Sequence, residues 1–238
     1  MELPWERAWA FPNGNYWELN VVTRFDRILG DLESPVVYDI GANCGYFTLL
    51  AARRSRFVYA FEPTLDTWTV LVRNIERNNL GHVHAFRFAL TDQPGEVDLY
   101  KYSSSGNNSL LIRRVGVGAG ITRIGTERVR GIPLDEVIVE KKLEPPSLIK
   151  IDVEGSEFLV LEGALKTLRT HAPVVIMEHN EARARAAGYS LGDVVSRLEE
   201  FGYSLGALGA NVFDHRLNTV DLLRREGGGT IVATPLNA

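Results

Sequence analysis

An aspartate and two glycines, Asp39, Gly41 and Gly45, stand together in VVYDIGANCGYFTLLAARR, a stretch that begins at Val36. An apolar run leads into them and a helical pattern leaves them, so they form a turn from a buried strand into a helix. Glycine there lets a ligand approach the backbone, and the first N–H groups of a helix have no partner inside it. The spacing is Gly-x-x-x-Gly, not the Gly-x-Gly-x-x-Gly of dinucleotide folds. Glu62 closes the next apolar run, FVYAFE. An acid about twenty residues after such a turn commonly receives ribose hydroxyls, and a hydrogen bond to a charged group is worth roughly 1.5–3 kcal/mol. A ligand with a ribose and an amino-acid tail suits this pair of features.

A second cluster lies in LIKIDVEGSEFLVLEGA, residues 148–164, where Asp152, Glu154 and Glu157 surround a glycine at the end of another strand. Open α/β sheets bind ligands at that edge. Asp152 suits either a general base or an anchor for an ammonium or backbone N–H. Glu154 and Glu157 read as caps of the following helix. The next strand, PVVIMEH, ends in Glu178 and His179, and histidine titrates in the range useful for proton transfer. On an ideal strand these two point to opposite faces, so both reach a substrate only if the strand ends there. Asp152, Glu178 and His179 also have the mixed oxygen and nitrogen donors of a divalent-metal site. His82, His84, His171 and His215 show no ligand spacing, and Cys44, the one cysteine, reads as a small packed residue.

Alternating strands and helices must position these groups. Strands are expected at 36–40, 57–62, 83–90, 96–102, 147–152, 173–179, 203–208 and 230–235, with helical spacing at 16–29, 48–53, 66–78, 157–170 and 191–202. Such alternation builds a parallel sheet joined by crossover helices. No linker divides the 238 residues, so one domain is expected, with 1–33 as an N-terminal helical cap and 34–238 as the core. The region 103–131 is rich in Ser, Asn, Gly and Arg and reads as an insertion or lid. It carries Arg113, Arg114, Arg123, Arg128 and Arg130 against one acid, Glu127, in a chain of net charge −4. Arginine reads carboxylate or phosphate, so this lid would favour an acceptor bearing negative charge. GVGAG at 116–120 lacks a full dinucleotide pattern and reads as loop.

No apolar run approaches the roughly 18 residues of a membrane helix, and the first residues lack the pattern of a signal peptide. With a single cysteine and this charge, a cytoplasmic protein with no nucleic-acid or membrane partner is expected; self-association into a homo-oligomer is compatible with the sequence.

The glycine turn with Asp39 and Glu62 resembles the class I S-adenosylmethionine-dependent methyltransferases. With AFEP, RFALTDQPGEVDLY, GIPLDEVI, LIKIDVEGSEF and PVVIMEH added, the chain resembles the FkbM family from about Tyr16 to His179. The resemblance implies an α/β fold with a mostly parallel seven-stranded sheet, helices on both faces and an antiparallel last strand. It implies S-adenosyl-L-methionine as cofactor, held by Asp39, Gly41, Asn43, Gly45, Phe47, Glu62 and Ala89. It implies methyl transfer to a hydroxyl of a small molecule such as a sugar or other natural product, with Asp152 and His179 as catalytic candidates. A divalent metal remains an open alternative. N-methylation of protein or nucleic acid is the competing activity, but those nucleic-acid enzymes carry an Asn/Asp-Pro-Pro-aromatic motif where this chain has DVEG. An inactive binding module and a nicotinamide-dependent reductase fit less well, the latter for want of its glycine fingerprint.

Overall fold

The computed structural model describes residues 19–111, 120–208, 223 and 228–236. Part of the expected N-terminal cap, the arginines at 113 and 114 and most of GVGAG lie outside these residues.

Seven strands form the main sheet: β1 (Val36–Ile40), β2 (Phe57–Phe61), β3 (Val83–Phe86), β7 (Leu148–Ile151), β8 (Val174–Asn180), β9 (Tyr203–Leu208) and β10 (Gly228–Pro235). Their order is β3-β2-β1-β7-β8-β10-β9, and β10 is antiparallel to both neighbours. This is the mostly parallel α/β sheet the sequence implies. The order reverses between β1 and β7, so a crevice opens at the carboxyl ends of these two strands.

The central strands are buried on both faces and read as continuous apolar runs. In β1, Tyr38 and Ile40 join the core under α4 (Leu134–Lys141), α5 (Glu157–Glu162), α6 (Leu165–His171) and α8 (Leu191–Glu200). Val37 joins the opposite core under α1 (Leu19–Asp31), α2 (Tyr46–Ala52) and α3 (Leu65–Arg77).

Three expectations change. The strand over 83–90 is two strands: β3 stays in the main sheet, while β4 (Ala89–Leu90) turns away to pair with Gly131 and Ile132. The region 103–131 is not loop throughout. Its last part is β6 (Arg123–Ile132), antiparallel to β5 (Gly95–Tyr102), and β4-β6-β5 make a second sheet. Opposite charges face each other in that hairpin, Glu96 against Arg130 and Asp98 against Arg128. Such pairs contribute roughly 0.2–1 kcal/mol each, and they stabilise a strand without an apolar stripe to announce it. Finally, the helix over 157–170 breaks at Gly163 into α5 and α6. Asp135 caps α6 there, its carboxylate accepting from the N–H of Lys166 and Thr167, both at 2.8 Å.

Candidate active site

A cavity of about 820 Å³ lies at the carboxyl ends of β1, β2, β7 and β8, roofed by the chain after β5. Its lining includes Asp39, Gly41, Asn43, Phe47, Glu62, Ala89 and Asp152, so seven of the nine sequence candidates meet in one place. Gly45 lies at the edge of the turn, and His179 does not join the lining.

The turn serves the protein's own packing first. Gly41 has φ +80°, and a Cβ on it would sit 1.9 Å from the Asp152 carbonyl oxygen; one on Gly45, at φ +95°, would meet Leu71 at 2.6 Å. Glycine is needed because β1 exits against the end of β7 and α2 packs on α3. The turn's N–H groups are also spoken for. Those of Gly41 and Ala42 donate to the Phe61 carbonyl, Asn43 to Glu62 Oε2, Cys44 to Asn43 Oδ1 and Gly45 to the Ala42 carbonyl. From Gly41 to Gly45 the turn has no backbone donor left over for a ligand.

What remains is acceptors. Asp39 is buried; its Oδ2 accepts from Thr48 Oγ1 at 2.5 Å, and its Oδ1 has no hydrogen-bond partner. Burial pushes its pKa up, and the Lys150 ammonium opposes that. Glu62 Oε1 accepts from Thr64 N–H at 2.9 Å and Thr67 Oγ1 at 2.7 Å, and Oε2 accepts from Asn43 N–H at 3.0 Å. Burial raises the Glu62 carboxyl too, against these hydrogen bonds.

Lys150 escaped the sequence reading. It is the register partner of Asp39, is buried, and donates to Asp152 Oδ2 at 3.0 Å with its Nζ 4.4 Å from the Phe47 ring centroid. Its signal is a charge inside the apolar run LIKID, two residues before an acid on the same strand face. Burial acts to raise the Asp152 carboxyl, but Lys150, a hydrogen bond from Glu178 and the charge of Arg183 hold it below the usual carboxylate range.

Strand parity sorts the last candidates. Ile176 lies in the core on the Lys150 side and Met177 in the opposite one. β8 continues to Asn180, so it does not end where both residues could turn inward. Glu178 therefore faces the cavity beside Asp152, and His179 faces away, fully buried, with Nε2 3.1 Å from Glu181 Oε2. His179 does not reach the space where an acceptor would sit, which corrects its placement beside the reacting atoms. For the same reason Asp152, Glu178 and His179 do not converge as metal ligands; among the described residues no group of three His, Cys, Asp or Glu side chains could hold an ion.

The remaining acids divide in role. Glu154, at φ +60°, pairs with Arg183 of α7 (Glu181–Ala186) in the cavity wall. Glu157 accepts from Gly155 N–H at 2.8 Å and from Tyr189 Oη at 2.7 Å, which locks the loop after β7. The roof is also tied down: Ser105 Oγ lies 3.4 Å from Asn43 Oδ1, Asn108 Nδ2 donates to Thr64 Oγ1 at 3.3 Å and Ser109 Oγ to the Glu154 carbonyl at 2.8 Å. Arg123, Arg128 and Arg130 are absent from the lining. Arg123 lies over Tyr100 and Arg130 pairs with Glu140, so these arginines do not supply the anion site expected of the lid.

Residues 39–205 match the family model described as Methyltransferase FkbM domain. The chain is 27% identical over 168 residues to the hexuronic acid methyltransferase AglP of Haloferax volcanii, a match covering 71% of this chain and 63% of that relative. It is 28% identical over 201 residues to the 31-O-demethyl-FK506 methyltransferase FkbM of Streptomyces tacrolimicus, covering 72% and 74%. Among solved structures, methyltransferase FkbM from Methylobacillus flagellatus KT superposes with TM-score 0.54 at 16% identity over 84% of this chain and 44% of that one. SMU.1697c of Streptococcus mutans, solved in complex with SAH, gives TM-score 0.54 at 9% identity over 90% of this chain and 97% of that one.

Proposed function

Because the chain belongs to the FkbM family of methyltransferases, we propose that it transfers a methyl group from S-adenosylmethionine to a hydroxyl oxygen of a small molecule, a sugar or another natural product. The carrying observation is the donor and acceptor balance of the turn. From Gly41 to Gly45 its N–H groups are used internally, while Asp39 Oδ1 lacks a hydrogen-bond partner and Glu62 brings a second buried carboxylate to the cavity. A site of acceptors suits a ligand that brings donors and positive charge, and it repels the pyrophosphate of a nicotinamide cofactor. An amino-acid ammonium and a ribose diol are donors of the required kind, so the residues fit the cofactor.

When bound, S-adenosylmethionine supplies the electrophilic methyl group. On this reading Asp39 takes the ammonium, Glu62 takes a ribose hydroxyl, and Ala89 with Phe88, Leu90 and Leu99 gives an apolar wall for the base. Asp152, fixed by Lys150, orients the acceptor rather than deprotonating it, since a carboxylate held low is a weak base. The chain at 104–110, which lines the cavity, acts as a lid. Small hydroxylated acceptors are favoured by the names of two relatives, one a hexuronic acid methyltransferase and the other a 31-O-demethyl-FK506 methyltransferase.

Calorimetry with S-adenosylmethionine and its demethylated product tests the first half. Glu62→Ala should raise Kd about tenfold or more, the loss of one charged hydrogen bond of roughly 1.5–3 kcal/mol. Incubation with methyl-labelled cofactor and a panel of methyl glycosides, uronic acids and hydroxylated lactones, read by mass spectrometry, tests the second. No binding by the intact protein overturns the cofactor assignment, and label found only on nitrogen or carbon overturns O-methylation.

A further inference from the structure

Glu178 and Asp152 stand side by side at the cavity wall. β7 and β8 are parallel with Ile151 opposite Met177, so the next pair outward is Asp152 and Glu178. Both side chains line the cavity. Two neighbouring carboxylates repel when both are ionised, so one of them binds a proton more tightly than it would alone. The charged groups around the pair decide which. Lys150 of β7 directs its ammonium at Asp152, 3.0 Å away. Arg183 of α7 pairs with Glu154 and has Nη1 3.9 Å from Glu178 Oε1. From β10 the register partner is the uncharged Thr230. Lys150 favours an ionised Asp152, so Glu178 is the member of the pair that takes up a proton more readily.

We propose that Glu178 is the residue that removes the proton from the acceptor hydroxyl, with Asp152 as the fixed negative charge beside it. This rests on the O-methylation reading above. Asp152 is held too firmly by Lys150 to be the base, and His179 faces the other side of the sheet. A carboxylate beside another carboxylate binds a proton more tightly than one alone, which moves Glu178 toward the basicity that serves catalysis near neutral pH. In the step, the acceptor oxygen forms its bond to the methyl carbon as the carbon–sulfur bond breaks. That electron pair passes to sulfur, which loses its positive charge, and the hydroxyl proton passes to a Glu178 carboxylate oxygen. The Glu178 side chain is 34% exposed, enough to return the proton to solvent afterwards.

Carbon-13 NMR of protein labelled at glutamate Cδ tests the coupling of the two carboxyls without any acceptor. The Glu178 signal is the one missing from Glu178→Gln. It should titrate at least about one pH unit above the ordinary glutamate value of about 4.3, and its midpoint should fall by about one unit in Asp152→Asn. A midpoint at or below the ordinary value, or one unmoved by Asp152→Asn, overturns the proposal. In turnover on the hydroxyl acceptors of the panel above, Glu178→Gln should lower kcat about a hundredfold or more with cofactor Kd within about twofold; an undiminished kcat overturns it. If the wild type labels only nitrogen or carbon, the reading of the reaction falls and the proposal with it. That failure is told apart from failure of Glu178 alone, because the titration reads the pair in either case.

Discussion

Glu157 shows how a residue in a catalytic motif can belong to the scaffold. It is buried, and both oxygens are occupied, one by the Gly155 N–H and one by the Tyr189 hydroxyl. Burial raises its carboxyl above the ordinary range, only partly opposed by these hydrogen bonds. The sign follows for stability. A raised folded pKa contributes stability that is fully present below the unfolded value, about 4.3, and is lost as pH rises through the folded value. Glutamine keeps an acceptor for Gly155 and carries no charge to bury. Glu157→Gln should therefore gain on the wild type between pH 4 and pH 8, whereas Glu157→Ala, which strands two buried donors, should lose roughly 2–3 kcal/mol. Urea denaturation across that pH range checks both. A Gln variant that loses ground with rising pH contradicts the assignment. Glu157 was expected as a helix cap from its place at the start of α5. The tyrosine that engages it lies 32 residues away in sequence, a distance no local pattern reports.

At the scale of elements, the site depends on how closely β1 and β7 approach. The Asp152 N–H donates to the Ile40 carbonyl at 2.9 Å, and the Asp152 carbonyl lies against Gly41. Gly41→Ala places a methyl group where backbone already is, at a φ that side chains avoid. A strained left-handed residue costs roughly 1–3 kcal/mol and overpacking a similar amount, so a loss of at least about 2 kcal/mol is expected by denaturant titration. Near-native stability would show that the strand ends separate easily. Helix α7 illustrates the opposite case. EARARAAG has no apolar stripe of any length, yet the helix forms because Asn180 Oδ1 caps it at Arg183 N–H and Glu181 fixes its start through His179 and Leu191. That short helix brings Arg183 to the cavity wall.

Across the whole molecule, two sheets meet at one cavity. The main sheet brings the strand ends, and the chain leaving β5 covers them with contacts to Asn43, Thr64 and Glu154. Those contacts touch three separate loops, two of them through hydrogen bonds of 3.3 and 3.4 Å, so binding should tighten the cover. Hydrogen exchange at residues 104–110 should slow when S-adenosylmethionine is added, and exchange in β5 itself should not. Equal exchange with and without the cofactor removes the lid. No helix among the described residues is long and apolar enough to cross a membrane.

The sequence by itself determined the sheet and the place of the cavity. Apolar runs such as VVYDI and LIKID, short and alternating with helical spacing, read as strands covered on both faces, and a glycine turn that leaves such a strand for a helix lies at the carboxyl edge. Asp39, Glu62 and Asp152 were legible for that reason: each closes or follows such a run. Tertiary structure decided what each group does there. Only the register of β1 against β7 sets Lys150 opposite Asp39, and only the continuation of β8 past His179 turns that histidine away and Glu178 inward. The arginine-rich segment became a strand because its partners, Glu96 and Asp98, are set by the pairing with β5. Period and composition are local properties and survive in a single chain read end to end. The partner of a buried charge is set by packing between segments far apart in sequence.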